Sequence, residues 1–266
     1  MVCNDERMRE ELASVGDIYG SRDDVPADVT SKIGVSTGEL RELLAENYDV
    51  FHFIGHIDGQ GFECPDGILD AKTVEEVNAT TVLLNGCRSH DQGVELVKAG
   101  ASAAIVSLAD LFNSGAVEIG KTLSRLLYHG FGIGAAMKII REYTSIGNRY
   151  VVVGDPLSLV AQCESGIPTL CHISKRSGES SRINISPHAY PTQKRGIGSS
   201  FSPSFFDGDQ YYIAVGKYDD LTTTRDAVEK WTATDYDPLV VNRELVWSGA
   251  WFQQDETTAP ISRNNP

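Results

Sequence analysis

Two apolar segments of this chain end in residues that can do chemistry. FHFIGH closes on His56, and VLLNGC closes on Cys87. A thiol beside an imidazole is the minimal apparatus of nucleophilic catalysis: the imidazole takes the proton and the thiolate attacks a carbonyl carbon. Gly59 follows His56 closely and Gly86 precedes Cys87. Backbone can therefore approach tightly there, and loop N–H groups can receive an oxyanion. Taken singly, a cysteine at a strand end is a small buried hydrophobe and a histidine in an apolar run is a core group. Both together, at successive strand ends and each followed by polar turn residues, point to a site. Asp58, Asp66, Asp91 and Asp110 stand in the loops around those ends and are candidates to line a pocket for a basic side chain.

Competing chemistries fare worse. A metal set would draw on His52, His56, Cys64 and Cys87, but residues four apart along a strand lie about 13 Å from each other. His52 and His56 cannot share one ion, so His52 is an interior residue and no metal is expected. No CxxC pair occurs, and neither does a GxGxxG or Walker pattern, so no cofactor is expected either. His90, three residues after Cys87, should leave with the following helix. Cys3, Cys163 and Cys171 lie outside the reactive edge.

The elements that must position the pair follow from periodicity. DERMREELASV (5–15) and STGELRELLAEN (36–47) read as helices, the second with Ser36 and Glu39 as a capping box. YDVFHFIGH is a buried strand, TVEEVN a short acidic helix and TTVLLNGC a second strand. The helix QGVELVKAGA, the strand ASAAIVSLADL, two long amphipathic helices (SGAVEIGKTLSRLLYHG and IGAAMKIIREYTSI) and the strand NRYVVVGDP complete the series. Apolar strands alternating with helices predict an α/β fold with a mostly parallel central sheet covered on both faces. The strand ends gather the reactive groups, neighbouring tips being about 5–10 Å apart. After residue 160 the chain turns Ser-, Gly- and Pro-rich, which predicts a smaller β-rich region over 161–252, with a helical stretch at TTTRDAVEKWT, and a disordered tail over 253–266. Only Met1-Val2-Cys3 precedes the polar Asn4-Asp5, so the first strand reads as a stub or as the continuation of a missing N-terminal region.

Composition bounds the rest. The 266 residues carry 37 acidic against 23 basic groups, a net charge of −14, with 9 Lys beside 14 Arg. Such a field repels nucleic acid and anionic membrane, and neither is expected as a partner. Acids spread along the chain with few lysines suit a surface adapted to high salt, hence a halophilic source. There is neither an 18-residue apolar run nor an apolar leader, so a cytoplasmic location is expected. Five cysteines in such a chain predict free thiols rather than a disulfide framework.

The ordered set HFIGHIDG, GILDA, VLLNGCRSHDQGVELVKAGASAAIVSLADL, VEIGKTLSRLLYHGFGIGAAMKIIR and RYVVVGDP resembles the CHAT domain, a branch of the caspase-like (caspase, separase, gingipain) cysteine peptidases. The likeness runs from about residue 36 to 157. It implies a caspase-like three-layer sandwich over residues 1–160, His56 as general base, Cys87 as nucleophile, and a protein or peptide substrate. A regulatory partner fits the same class. Ile57 stands where the family often has Gly, and Asn85 where metacaspase relatives have Asp. The alternative it leaves is a catalytically silent CHAT-like module for signalling or scaffolding.

Overall fold

The computed structural model describes residues 1–22, 25–163, 166–175, 182–201, 211–212, 221–224, 226–228 and 237–248. The chain divides into two compact units, Met1–Glu164 and Ser165–Pro266.

The first unit opens with β1 (Val2–Cys3), a 3-10 turn at Glu6–Met8, and α1 (Arg9–Tyr19). β2 (Lys32–Ile33), α2 (Thr37–Ala45) and β3 (Tyr48–Ile54) follow, then a small meander of β4 (Ile57–Asp58), β5 (Gly61–Cys64) and β6 (Gly67–Leu69). It continues with β7 (Ala79–Asn85), α3 (His90–Lys98), β8 (Ala103–Ser107), α4 (Asn113–Tyr128), α5 (Ile133–Tyr143) and β9 (Tyr150–Gly154). The expected capping box of α2 is present: Ser36 and Glu39 satisfy each other's backbone N–H groups.

Six strands form one sheet in the order β2-β1-β3-β7-β8-β9. The first five run parallel, and β9 closes the edge antiparallel to β8. Gly154 pairs with Ala103, so the Gly-Asp-Pro end of β9 lies level with the start of β8, away from the ends of β3 and β7. β1 is two residues long but pairs on both sides, with β2 and with β3.

Alternation along the strands separates the faces. Phe51 and Phe53 of β3, Val82 and Leu84 of β7, and Ala104 and Val106 of β8 pack with Leu40 and Leu44 of α2 and Leu96 of α3. Ile54 and Cys3 meet Met8 of the 3-10 turn, Leu12 of α1 and Ala116 of α4 on the other face. The sheet is thus covered on both sides.

One expected helix is absent. TVEEVN holds only the end of a 3-10 turn at Ala71–Thr73, after which the chain is irregular. Val74 and Val77 are buried, and the N–H groups of Val77 and Asn78 donate to Ala99 and Leu44 carbonyls at 2.9 and 3.1 Å. Those long-range bonds replace the i→i−4 ladder that a helix would need.

The second unit carries β10 (Thr169–Lys175), β11 (Arg182–Ala189), β12 (Ser200–Phe201), β13 (Tyr211–Tyr212), β14 (Leu221–Thr224), β15 (Pro238–Val241) and β16 (Glu244–Trp247). Five of these make a mixed sheet, β14-β11-β10-β15-β16, around Cys171, Ile173, Ile185 and Leu239. In the stretch read as helical, 222–224 belong to β14 and 226–228 are helical; the other residues of it, and the tail 253–266, lie outside the described residues.

A polar cluster sits inside the first unit. Glu11 of α1 and His52 of β3 are both fully buried, with Oε1 and Nε2 3.3 Å apart, an ion-pair contact without hydrogen-bond alignment. Asn85 of β7 donates to Glu11 at 2.5 Å and to the Ala116 carbonyl at 2.9 Å. Tyr150 donates to Asn85 Oδ1 at 2.6 Å, and burial pushes its hydroxyl well above the ordinary tyrosine value, so it stays a neutral donor. α4 makes room for the carboxylate with Gly120, where a Cβ would fall 2.1 Å from Glu11 Oε1. Gly120→Ala is therefore expected to lower unfolding free energy by about 1–3 kcal/mol through overpacking. Urea titration reads this, and an unchanged midpoint would show that the carboxylate can move aside.

Candidate active site

β3 and β7 are adjacent and parallel, and their last paired residues are Ile54 and Asn85. His56 and Cys87 each come two residues later, so the two reactive groups leave neighbouring strands at the same level. Gly86 lies in the turn between Asn85 and Cys87. A Cβ there would stand 2.7 Å from the Gly55 carbonyl oxygen and 2.8 Å from Ile57, so the two strand ends approach as closely as only glycine allows. The Gly86 carbonyl is fixed by the Ser107 hydroxyl at 2.5 Å. Gly59 occupies the open turn of the β4–β5 hairpin, where a Cβ would meet nothing within 4 Å.

The Cys87 sulfur is partly exposed and receives the Leu111 N–H at 3.2 Å. The next residue, Arg88, has φ of 50°, in the left-handed region that side chains disfavour. It is held there by its N–H on the Ala109 carbonyl at 3.3 Å and by an ion pair with Asp110 at 2.8 Å. Arg149 donates to the Asp110 carbonyl at 2.5 Å and lies over the Phe112 ring, 5.8 Å from its centroid. The segment 108–112, leading from β8 into α4, thereby reaches both Cys87 and its neighbour.

His56 is anchored from the N-terminal segment. Its Nε2 lies 3.1 Å from Asp5 Oδ2 and 2.6 Å from Arg7 Nη2, while Nδ1 makes no hydrogen bond among the described residues. Asp5 is nearly buried, caps the Glu6–Met8 turn through the Arg7 N–H, and takes Arg7 Nε and Nη2 at 3.1 and 3.0 Å. Its hydrogen bonds with Arg7 hold the carboxyl below the usual aspartate range, so it is ionised near neutrality. A depressed carboxyl contributes its stability above the unfolded value, about pH 4, and loses it as pH falls through the folded one.

The other expected residues are placed as follows. Asp66 accepts from Thr37 N–H at 2.7 Å and from its hydroxyl at 2.9 Å at the start of α2, and the Thr37 bonds lower its carboxyl. Asp91 pairs with His90 at 2.9 Å, at the start of α3. Asp110 pairs with Arg88, and Asp58 lies on β4. Asp66, Asp91 and Asp110 are not drawn into one cluster by the bonds they make. Among the described residues, no group of three or more His, Cys, Asp or Glu could hold a metal ion. No helix among them is long and apolar enough to cross a membrane.

Asp5, Arg7 and Leu111 were missed by sequence reasoning. They sit 24 to 51 residues from the groups they hold, and Leu111 acts through its backbone, which carries no residue-type signal.

No protein-family model matches the chain, and no curated protein matches it. Among solved structures, it is similar to the Arg-specific cysteine proteinase gingipain R (TM-score 0.44, 13% identity, 81% of this chain and 60% of that one). It is also similar to a complex of Porphyromonas gingivalis RgpB pro- and mature domains (TM-score 0.44, 12% identity, 84% of this chain and 67% of that one). The chain thus spans about 60% of the length of the gingipain R chain.

The thiols differ in readiness. Burial and nearby Asp66 push Cys64 up to about 11, and burial raises Cys3 and Cys171. At pH 8 only about one Cys64 in a thousand is thiolate. Limiting iodoacetamide at that pH is expected to modify Cys87 before Cys64, read by peptide mass mapping; Cys64 labelled first would reverse the ranking.

Proposed function

We propose that this chain is a cysteine-type endopeptidase in which Cys87 is the nucleophile and His56 the general base, acting on a protein or peptide substrate. The observation that carries this is the shared level of the two residues, each two positions past the Ile54–Asn85 pair on adjacent parallel strands.

The chemistry follows from the contacts. With Nε2 facing Asp5 at 3.1 Å, Nδ1 is the nitrogen that takes the Cys87 proton. The thiolate attacks the scissile carbonyl carbon, and its oxygen becomes an oxyanion received by loop N–H groups, for which those of Gly59 and Gly86 are the candidates. His56 returns the proton to the leaving amine as the C–N bond breaks, leaving a thioester on Cys87. Water, deprotonated by His56, hydrolyses the thioester and restores the thiol. Asp5 stabilises the imidazolium in both halves and keeps the ring oriented, a role that a buried, ionised carboxylate performs well.

Cys87→Ala and His56→Ala are expected to abolish cleavage of a denatured protein substrate while circular dichroism stays native, since neither side chain fills the core. His90→Ala should change the rate less than about threefold, because that imidazole is paired with Asp91 at the start of α3. Cleavage retained by Cys87→Ala would mean the nucleophile is misassigned. A His90 variant more damaged than the His56 variant would overturn the dyad. Failure of the wild-type protein to cleave or to be labelled at Cys87 would leave the silent CHAT-like module.

A further inference from the structure

Glu11 stands on the buried stripe of α1, beside Leu12, Val15, Ile18 and Tyr19, and its side chain is wholly enclosed. Only one of its two oxygens is used. Oε1 takes Asn85 Nδ2 at 2.5 Å and lies 3.3 Å from His52 Nε2. Among the described residues Oε2 has no hydrogen-bond partner, and neither nitrogen of the enclosed His52 ring has one. A buried carboxyl group with an oxygen left idle is destabilising, and an apolar side chain of similar length would fill the place without that desolvation. The fold nevertheless makes room for it. At Gly120 of α4 a Cβ would fall 2.1 Å from Glu11 Oε1 and 3.2 Å from Asn85 Nδ2. A core built for stability alone has no need of this arrangement.

The carboxyl group does what apolar packing cannot. Apolar contact is non-directional and lets a helix shift or roll, whereas a hydrogen bond fixes a distance and an angle. Glu11 gives α1 polar contacts to β3, at His52, and to β7, at Asn85. Asn85 is the last paired residue of β7, two before Cys87. Its amide is held as well by the Ala116 carbonyl of α4 at 2.9 Å and by the Tyr150 hydroxyl of β9 at 2.6 Å. At its other end, α1 continues directly from the Glu6–Met8 turn that Asp5 caps, and Asp5 lies 3.1 Å from His56 Nε2. A shift of α1 is therefore a shift of Asp5 against His56, and loss of the Asn85 bond loosens the turn that carries Cys87.

We propose that Glu11 is a positioning residue for this site: its enclosed carboxyl group ties α1 to β3 and β7 at once, setting Asp5 against His56 and the end of β7 beneath Cys87. The inference rests on the His56–Cys87 reading. Glu11 touches neither reacting group and acts only through Asp5 and Asn85.

The test uses the full chain, denatured casein as substrate, and two variants that separate positioning from stability. Glu11→Gln keeps a carbonyl oxygen for Asn85 Nδ2 and places an amide N–H₂ where no partner waits. It is expected to lower the melting temperature while kcat stays within about threefold of wild type. Glu11→Met removes both the polar contacts and the enclosed carboxyl group. It is expected to melt at or above the wild-type temperature while kcat falls at least about tenfold with KM little changed. Asp5→Asn should lower kcat less in Glu11→Met than in wild type, because the clamp it weakens is already displaced. The same order, Glu11→Gln near wild type and Glu11→Met several-fold slower, is expected for alkylation of Cys87 by iodoacetamide, which needs no substrate and decides the matter where casein is not cut. A structural role alone makes the less stable variant the slower one. Rates unchanged in Glu11→Met, rates that follow the melting temperature across the two variants, or a Glu11→Met chain that does not fold overturns this inference and leaves the dyad standing. Casein uncut by the wild type, with Cys87 alkylated no faster than Cys64, overturns the dyad and this inference with it.

Discussion

The parallel ladder between β3 and β7 is the constraint on which the placing of His56 and Cys87 depends. Phe51 and Phe53 must face α2 and α3, while Ile54 must face α1 and α4, because each is buried in the cluster on that side. A slip of one residue would turn every side chain of β3 to the wrong face, placing aromatic rings where a buried carboxylate lies. The core therefore fixes the register, and the register sets His56 level with Cys87. Hydrophobic packing, with no catalytic residue in it, fixes the height of both reactive groups.

What the ladder does not fix is which way the imbalance of charge at its end resolves, and here residues 5–11 take over. Asp5 and Arg7 grip His56 from one side, and one and a half turns on, Glu11 touches both His52 of β3 and Asn85 of β7. A single short segment thus contacts both β3 and β7. Its anchorage is β1, whose two residues pair with β3 at Phe53 and Ile54, immediately before the site. The stub at the front of the chain is a working strand for that reason.

Much of this was legible in the residues. The strands leading to His56 and Cys87 and the capping box at Ser36 are local patterns, and the structure contains elements to match them. Glu11 carried a signal that went unused: it falls on the buried stripe of Met8, Leu12, Val15 and Tyr19, a place where a glutamate needs a partner. The partners themselves, and the N–H of Leu111 on sulfur, are long-range contacts that periodicity does not encode. TVEEVN shows the converse, a helical composition overruled by two backbone bonds to distant carbonyls.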